Sequence, residues 1–203
     1  NKKPDDRSGV QVQGHIKIHD PESGAVFVNK RNAIHYENMS IALAESVANQ
    51  GQGFISSMAF GNGGTSVDPA GIITYLTPNS TGTNASLYNQ TFTKIVDDRS
   101  VSNLDPQRNK IETRHVNGTN YTDVVVTCLL DYGEPNGQDA TDTASASDSL
   151  YVFDELGLVS YASSGTGKLL THVIFHPVQK SLNRLIQIDY TVRVQSLTGF
   201  NEG

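Results

Sequence analysis

The sequence predicts an all-β fold, a β-sandwich or barrel of roughly eight to ten strands with one short α-helix. One observation behind this prediction is strict alternation near the C-terminus, where the apolar residues of one face are Ile186, Ile188, Tyr190, Val192 and Val194. A period of two is typical of a strand with one buried and one solvated face. The other observation is composition, because hydrophobic residues make up only 36% and charged residues 18% of the chain. Gly, Ser, Thr and Asn fill the difference, and they favour turns and polar strand faces.

The first predicted element is a β-hairpin. Residues 10–19 alternate. The apolar face consists of Val10, Val12, Ile16 and Ile18, and the polar face of Gln11, Gln13, His15, Lys17 and His19. Residues 20–24 have the composition of a turn, and residues 25–29 return as a short strand.

Further strands are predicted where apolar runs are bounded by turn residues. They cover residues 54–60, 88–96, 110–117, 123–132, 150–160, 169–177 and 185–195. We expect the last two to lie opposite each other, with residues 178–184 as their connection. Residues 65–86 are rich in Thr, Ser, Asn, Gly and Pro, which predicts a long surface excursion.

One helix is predicted, at about residues 38–50. Asn38 is a suitable N-cap, and Gly51 supplies a C-terminal stop. The apolar stripe at i, i+4 and i+8 consists of Met39, Leu43 and Val47.

The predicted organisation is a charged arm at residues 1–9, a single β-rich domain at residues 10–197 and a tail at residues 198–203. Residues 133–149 form an acidic stretch of small residues with few hydrophobic anchors. We expect the arm and this stretch to become ordered only against partners in an assembly.

Bulk properties limit the possible function classes. The formal net charge of −6 and the pI of about 5.4 argue against a general attraction to nucleic acid. The single cysteine excludes an intramolecular disulfide and fits assembly in a reducing cytoplasm. No apolar run approaches the ~20 residues that span a bilayer, and no signal-peptide pattern opens the chain. We therefore expect a soluble protein without membrane contact.

Two glycine-rich stretches invite comparison with phosphate-binding loops. The GTGK sequence at 165–168 has Ala162 and Leu169 where that motif needs Gly and Ser or Thr, and a strand follows it. The GNGG sequence at 61–64 opens no obvious helix that could hold an anion. We interpret the first as a hairpin turn and the second as a turn whose glycines need positive φ.

The histidines and the cysteine give weak signals for a metal or catalytic site. The pairs His15/His19 and His172/His176 have i, i+4 spacing, which suits zinc on a helix but separates the two side chains by roughly 13 Å on a strand. Cys128 lies within an apolar strand, where a thiol is normally inert packing.

Acidic pairs are the remaining catalytic candidates. Asp97-Asp98 with Asp105, or Asp154-Glu155, could supply two carboxylates, but such neighbours are more often loop charges or caps. We predict no catalytic residue, no metal site and no cofactor.

Six blocks of the sequence carry a family resemblance. They are KRNAIHYENMSIALAESVANQ, FISSMAFGNGG, LYNQTFTKIVDD, HVNGTNYTDVVVTCLLDYGEP, FDELGL and LLTHVIFHPVQKSLNRLIQIDYTVR. These blocks resemble virion structural proteins of contractile-tailed bacteriophages, especially those that infect cyanobacteria. The resemblance implies a non-enzymatic virion component that is assembled in the bacterial host cytoplasm. Its expected partners are copies of itself and other phage structural proteins.

Within this interpretation, a ring-forming neck, collar, tail or baseplate component is favoured over a capsid decoration protein. An alternative is a carbohydrate-binding module at the tail tip, although the chain has no Trp and its tyrosines are scattered. A third hypothesis is a hydrolase or lyase, which requires a cleft that gathers two carboxylates, or a histidine and a carboxylate, around an open space.

The candidate interface residues are charged or titratable side chains of the arm, the first strand and the acidic stretch. They are Lys2, Lys3, Arg7, His15, Lys17, His19, Asp139 and Asp142.

Overall fold

The computed structural model describes residues 9–135 and 150–197. These residues form eleven strands and one helix, and nine of the strands make one antiparallel sheet that curls into a half-barrel. The all-β prediction is confirmed. The strands are β1 Gly9–His19, β2 Val26–Ile34, β3 Ile55–Gly61, β4 Thr65–Val67, β5 Ile73–Tyr75, β6 Gln90–Ile95, β7 Lys110–His115, β8 Tyr121–Leu130, β9 Leu150–Ser160, β10 Thr171–Ser181 and β11 Ile186–Leu197. The helix α1 spans Tyr36–Val47, and within the described ranges no helix is suited in length and apolarity to crossing a bilayer.

The strand order in the main sheet is β6-β3-β9-β10-β2-β1-β11-β8-β7. The opening hairpin is confirmed, since β1 and β2 are antiparallel neighbours. The prediction that the last two strands lie opposite each other is wrong, because β2 and β1 are inserted between β10 and β11. Alternation identifies the buried face of a strand but does not identify the strand that pairs with it. In the structure β11 pairs with β1 along all of Gly9–His19. The predicted connection at 178–184 is also wrong in part, because β10 continues to Ser181.

The hydrophobic core lies on the concave face of the curled sheet. The alternation predicted for the last strand is confirmed from Ile186 to Val192, and Ile16 and Ile18 on β1 are fully buried. The prediction is wrong for Val10, which is 64% exposed because it pairs with Ser196 near the end of the two strands, beyond the core. The other half of the sheet contributes an aromatic group in which the ring centroids of neighbouring side chains are 5.4–5.7 Å apart and nearly perpendicular. That group consists of Phe60, Phe153 and Phe175. Such edge-to-face contacts are a favoured geometry for aromatic side chains.

Helix α1 begins two residues earlier and ends three residues earlier than predicted. Its N-cap is His35 and not Asn38, because the His35 Nδ1 accepts a hydrogen bond of 3.1 Å from the Asn38 backbone N–H. Met39 is buried against the core, but Val47 at the end of the helix is 88% exposed, so the predicted apolar stripe is one member too long. The chain leaves the helix through Asn49 in the left-handed region, at φ 51°.

Residues from the two edges of the sheet meet at Leu129 of β8. Strand β7 pairs with β8 only as far as Lys110 and Thr127, which leaves the Leu129 backbone without a strand partner on that side. Asn109 Oδ1 accepts from the Leu129 N–H at 2.9 Å, and Lys94 from edge strand β6 donates to the Leu129 carbonyl. Two side chains therefore complete the backbone hydrogen bonding where the strand ladder stops.

Candidate functional site

The convex face of the half-barrel carries the predicted interface residues that the structure describes. Pairing places Arg31, His15 and Thr191 in one row across β2, β1 and β11, and it places Lys17 beside Asp189 in another row. His15 is exposed, whereas Lys17 and His19 are partly buried. The prediction that these three side chains share one polar face is confirmed. Lys2, Lys3, Arg7, Asp139 and Asp142 lie outside the described residues.

A hydrogen-bonded pair and an ion pair occupy part of this convex face. His19 Nε2 lies 2.8 Å from Asp189 Oδ2, and Arg193 makes two hydrogen bonds of 2.8 and 3.0 Å to the Asp123 carboxylate. These bonds from Arg193 outweigh burial and lower the pKa of Asp123. The Arg193 guanidinium also lies 3.9 Å from the centroid of the Tyr121 ring. The Arg193–Asp123 pair is therefore held in one orientation by a planar double contact.

Two cationic side chains and a histidine remain beside these pairs. In the part of the chain that the structure describes, His15, Lys17 and Arg31 have no carboxylate within ion-pair distance. His15 and Arg31 also line a shallow cleft of about 350 Å³ together with Asp123, Thr191 and Arg193. This surface is suited to contact with carboxylate-bearing segments.

The arrangement that most resembles a catalytic pair lies elsewhere, on the adjacent strands β9 and β10. His172 Nε2 is 2.8 Å from Glu155 Oε2, and neither side chain is accessible to solvent. Glu155 also accepts backbone hydrogen bonds from Gly63, Tyr88 and Asn89 at 2.8–3.2 Å. Burial raises the pKa of Glu155, but the hydrogen bonds from His172, Asn89 and Tyr88 outweigh it and leave the pKa below its ordinary value.

The protonation pattern of His172 follows from its two contacts. Its Nδ1 accepts a hydrogen bond of 2.8 Å from the Asn79 N–H, so Nε2 is the nitrogen that donates to Glu155. Both carboxylate oxygens and both ring nitrogens are therefore engaged. His172 also lines a cleft of about 220 Å³, but none of these four atoms is left free to act on a molecule in it, so the buried pair does not meet the condition for a hydrolytic centre.

The Glu155–His172 pair and its neighbours hold the long excursion between β3 and β6. Asp154 accepts from the Gly64 N–H and the Thr65 N–H, each at 2.9 Å. Farther along the excursion, His35 Nε2 donates to the Gly82 carbonyl at 2.8 Å. Buried polar side chains thus fix the excursion at several points along its length. The sequence predicts that Asp154 and Glu155 are loop charges or caps. In the structure both side chains accept hydrogen bonds from a loop that lies about 90 residues earlier in the chain.

The interpretation of the GNGG stretch at 61–64 is wrong. Gly61, Gly63 and Gly64 do not have positive φ. They are required by close packing, because a Cβ on Gly61 would overlap the Asn89 carbonyl and the Glu155 carboxylate. The backbone of Gly61 lies against the Glu155 carboxylate and that of Gly64 against the Asp154 carboxylate, so a larger residue would crowd both contacts. The GTGK stretch, by contrast, is the predicted hairpin turn between β9 and β10, with Gly165 at φ 89°.

Lys180 on β10 holds a second loop, the turn that follows β8, through hydrogen bonds to its backbone. It is fully buried, and its Nζ donates to the carbonyls of Asp131, Glu134 and Ser181 at 2.7–2.9 Å. Burial lowers the pKa of Lys180 to about 8. All three ammonium donors are directed at backbone oxygens, so this lysine fixes the turn that follows β8.

The remaining sequence candidates show no reactive geometry. Cys128 is fully buried, and burial raises the pKa of its thiol to about 12. Such a thiol remains protonated and unreactive at neutral pH. Among residues 9–135 and 150–197, no three His, Cys, Asp or Glu side chains are grouped as metal ligands. Asp97 pairs with Arg99 at 3.2 Å, and Asp105 pairs with Arg108, so these acids form local ion pairs.

Comparison with known proteins gave no match to a protein-family model, to a curated protein sequence or to a solved structure.

Proposed function

We propose that this chain is a non-enzymatic structural subunit of a tailed-phage virion, most specifically a ring-forming component of the neck, collar, tail or baseplate. The proposal combines the resemblance of the six sequence blocks with the way the fold uses its buried charged groups. Its partners are copies of itself and other virion proteins.

The observation that carries the proposal is the use of the buried polar side chains as loop anchors. Asp154, Glu155 and His172 hold the excursion between β3 and β6, and Lys180 holds the turn after β8. Buried ionisable groups in an enzyme are commonly directed towards a substrate cleft. Here they are directed at the protein's own backbone, which gives long surface loops a fixed shape before any partner binds.

Fixed loops suit assembly because a preorganised surface loses little conformational entropy on association. Lys17 and Arg31, with His15 between them, provide a complementary surface for acidic segments of neighbouring subunits. The chain as a whole has a net charge of −6, so packaged DNA is a less favourable partner than another acidic protein with local basic patches.

The direct test is mass spectrometry of purified phage particles, with the copy number of this chain measured against the major capsid protein. For a ring subunit, the resemblance implies about six or twelve copies per particle, related by closed symmetry. Gold-labelled antibodies seen by electron microscopy at the head–tail junction or on the tail would support the same conclusion. Absence of the chain from purified particles would refute the proposal.

The same experiments separate the alternatives. A capsid decoration protein would be present in hundreds of copies, distributed over the head. A carbohydrate-binding module at the tail tip would bind defined sugars on a glycan array, and its label would lie at the distal end of the tail.

A further inference from the structure

Asn-Gly dipeptides occur in the chain at 62–63, 117–118 and 136–137. The last of these lies outside the described residues. An asparagine that precedes a glycine can react with its own backbone, because glycine has no side chain to hinder the approach of its nitrogen. The structure holds the dipeptides at 62–63 and 117–118 in different surroundings, and these surroundings decide which of the two asparagines reacts.

The reaction is an intramolecular substitution at the side-chain amide of the asparagine. The backbone nitrogen of the glycine attacks the Cγ carbonyl, a C–N bond forms, and the amide nitrogen leaves as ammonia with the proton from the attacking nitrogen. The product is a cyclic imide. Water then adds to one of its carbonyls and opens the ring, which gives either aspartate or isoaspartate, the form in which the main chain passes through the former side-chain carbonyl. The new carboxyl group is ionised at neutral pH.

Asn117 and Gly118 form the exposed turn between β7 and β8. The turn is closed by the Thr119 N–H, which donates to the Val116 carbonyl at 3.1 Å. Gly118 has φ 87°, and a Cβ built on it would meet no atom within 4 Å. Its N–H donates no hydrogen bond to any residue that the structure describes. The attacking nitrogen is therefore unoccupied, and water has open access to the site.

Asn62 and Gly63 are held by neighbouring residues. The Gly63 N–H donates to Glu155 Oε1 at 3.2 Å, and the Asn62 amide oxygen accepts from Asn89 Nδ2 at 2.5 Å. A Cβ on Gly63 would lie 2.8 Å from the Asn89 backbone nitrogen. In this dipeptide the attacking nitrogen and the amide that it would attack are therefore both engaged.

The two dipeptides also differ in the cost of the backbone rotation that brings the nitrogen to Cγ. At 117–118 the rotation breaks hydrogen bonds of Thr119, whose N–H and hydroxyl both donate to the Val116 carbonyl at the protein surface. At 62–63 it removes a hydrogen bond to the carboxylate of Glu155, which is fully buried. A hydrogen bond to a buried charged group is stronger than a neutral one at the surface. Local opening is therefore easier at 117–118.

We propose that Asn117 is a site of spontaneous modification, where the folded protein converts asparagine to aspartate and isoaspartate, and that Asn62 is protected. The modification places a carboxylate in the β7–β8 turn. The isoaspartate form also lengthens the main chain by a methylene group, which weakens the hydrogen bond from Thr119 to Val116. Strand β7 is an edge strand, and in the described part of the chain it pairs with β8 alone, so the change loosens the attachment of an edge strand. This inference does not depend on the proposed function.

The first test is peptide mapping by mass spectrometry, with fragmentation that separates aspartate from isoaspartate. The purified full chain is incubated in mildly alkaline buffer made with heavy-oxygen water. We expect both products at Asn117, each with a heavy oxygen atom from the water that opens the imide. Products at Asn62 should form roughly tenfold to a hundredfold more slowly, because the reaction there requires the loss of hydrogen bonds to a buried carboxylate. Equal rates at the two sites, or an Asn117 that keeps its amide, would overturn the proposal.

The same incubation in urea is the matched control. Both dipeptides consist of the same two residues, so their rates should become similar once the chain is unfolded. A rate ratio that is the same in the folded and the unfolded chain would show that the protection of Asn62 does not come from the structure, and it would contradict the role given to Glu155.

The second test uses Asn117→Gln, because a glutamine side chain must close a larger ring and forms it much more slowly. The variant should have the melting temperature of the wild type, since Asn117 is exposed. After incubation of both proteins, amide hydrogen exchange at Thr119 should be faster in the wild type and unchanged in the variant. Faster exchange in both proteins, or unchanged exchange in a wild type whose Asn117 has reacted, would refute the effect on the turn.

Discussion

Glu155 and His172 face each other from adjacent strands β9 and β10, 2.8 Å apart and fully shielded from solvent. Their outward partners are backbone N–H groups of the excursion, among them Asn79 and Asn89. The pair therefore connects the sheet to a loop that carries exposed apolar residues. Loss of either side chain would therefore affect both the stability of the sheet and the shape of the excursion between β3 and β6.

Replacement of the buried carboxylate should destabilise the protein strongly. Glu155→Gln preserves side-chain size but removes the charge that accepts four hydrogen bonds, from His172 and three backbone N–H groups. We expect a loss of about 2–4 kcal/mol in the free energy of unfolding, measured with urea. Glu112→Gln on edge strand β7 is the control, because Glu112 is partly exposed and its change should stay within about 0.5 kcal/mol. Equal effects of both substitutions would contradict the anchoring role.

Acid should weaken the wild type more than the Glu155→Gln variant. The pKa of Glu155 is lowered in the folded state, so below the ordinary glutamate pKa the unfolded chain binds more protons than the folded chain. The stabilisation from this carboxylate is complete above that ordinary value of about 4.5 and is lost as the pH falls through the folded pKa. Asp123 and Asp131 also have lowered pKa values and contribute in the same direction. Urea unfolding from pH 7 to pH 3 should show a shallower acid slope in the variant, and parallel slopes would show that Glu155 is not the titrating group.

Lys180→Met should release the turn that follows β8. The substitution fills a similar volume but leaves the carbonyls of Asp131, Glu134 and Ser181 without this donor. We expect a loss of about 1–3 kcal/mol in unfolding free energy and faster amide hydrogen exchange at 131–134. Lys110→Met is the control, since Lys110 is partly exposed and pairs only with Glu112. Unchanged exchange in the Lys180 variant would mean that the turn is held by other contacts.

Gly61→Ala should disturb the packing of the excursion against the sheet. The added Cβ would overlap the Asn89 carbonyl and the Glu155 carboxylate, and that carboxylate is held by backbone hydrogen bonds from Gly63 and Asn89. We expect a loss of more than about 2 kcal/mol. Gly9→Ala on β1 is a suitable control, because a Cβ there meets only ordinary contacts with Leu197 at 3.7–3.9 Å. A neutral Gly61 variant would show that the excursion adjusts to the added Cβ, and this would contradict the close-packing role of the glycine.

The sequence predicts local properties of this fold better than its long-range pairing. Alternation in β11 identifies Ile188 and Tyr190 as buried, since face and period are properties of a single strand. Pairing of β11 with β1 joins residues that are as many as 188 positions apart, as Gly9 and Leu197 are, and nothing in either strand specifies that choice. The role of Gly61 was missed for the same reason, because its partner Glu155 lies 94 positions later. The N-cap is placed at Asn38 by the general preference for Asn at caps, whereas His35 takes that position because its ring nitrogen accepts from the Asn38 N–H.

Tyr190 offers a test that separates packing from hydrogen bonding in the core. Its ring is fully buried, and its hydroxyl has no hydrogen-bond partner of good geometry among the described residues, although Thr171 lies nearby. Tyr190→Ala should cost about 3–5 kcal/mol, as truncation of a large core side chain does. Tyr190→Phe removes only the unsatisfied hydroxyl, so it should be neutral or stabilise the protein by up to about 1 kcal/mol. Both values follow from urea unfolding with Ile188→Ala as a second core reference, expected at about 2–5 kcal/mol. A costly Tyr190→Phe substitution would show that the hydroxyl bonds to Thr171, and this would place a polar contact at the centre of the concave face.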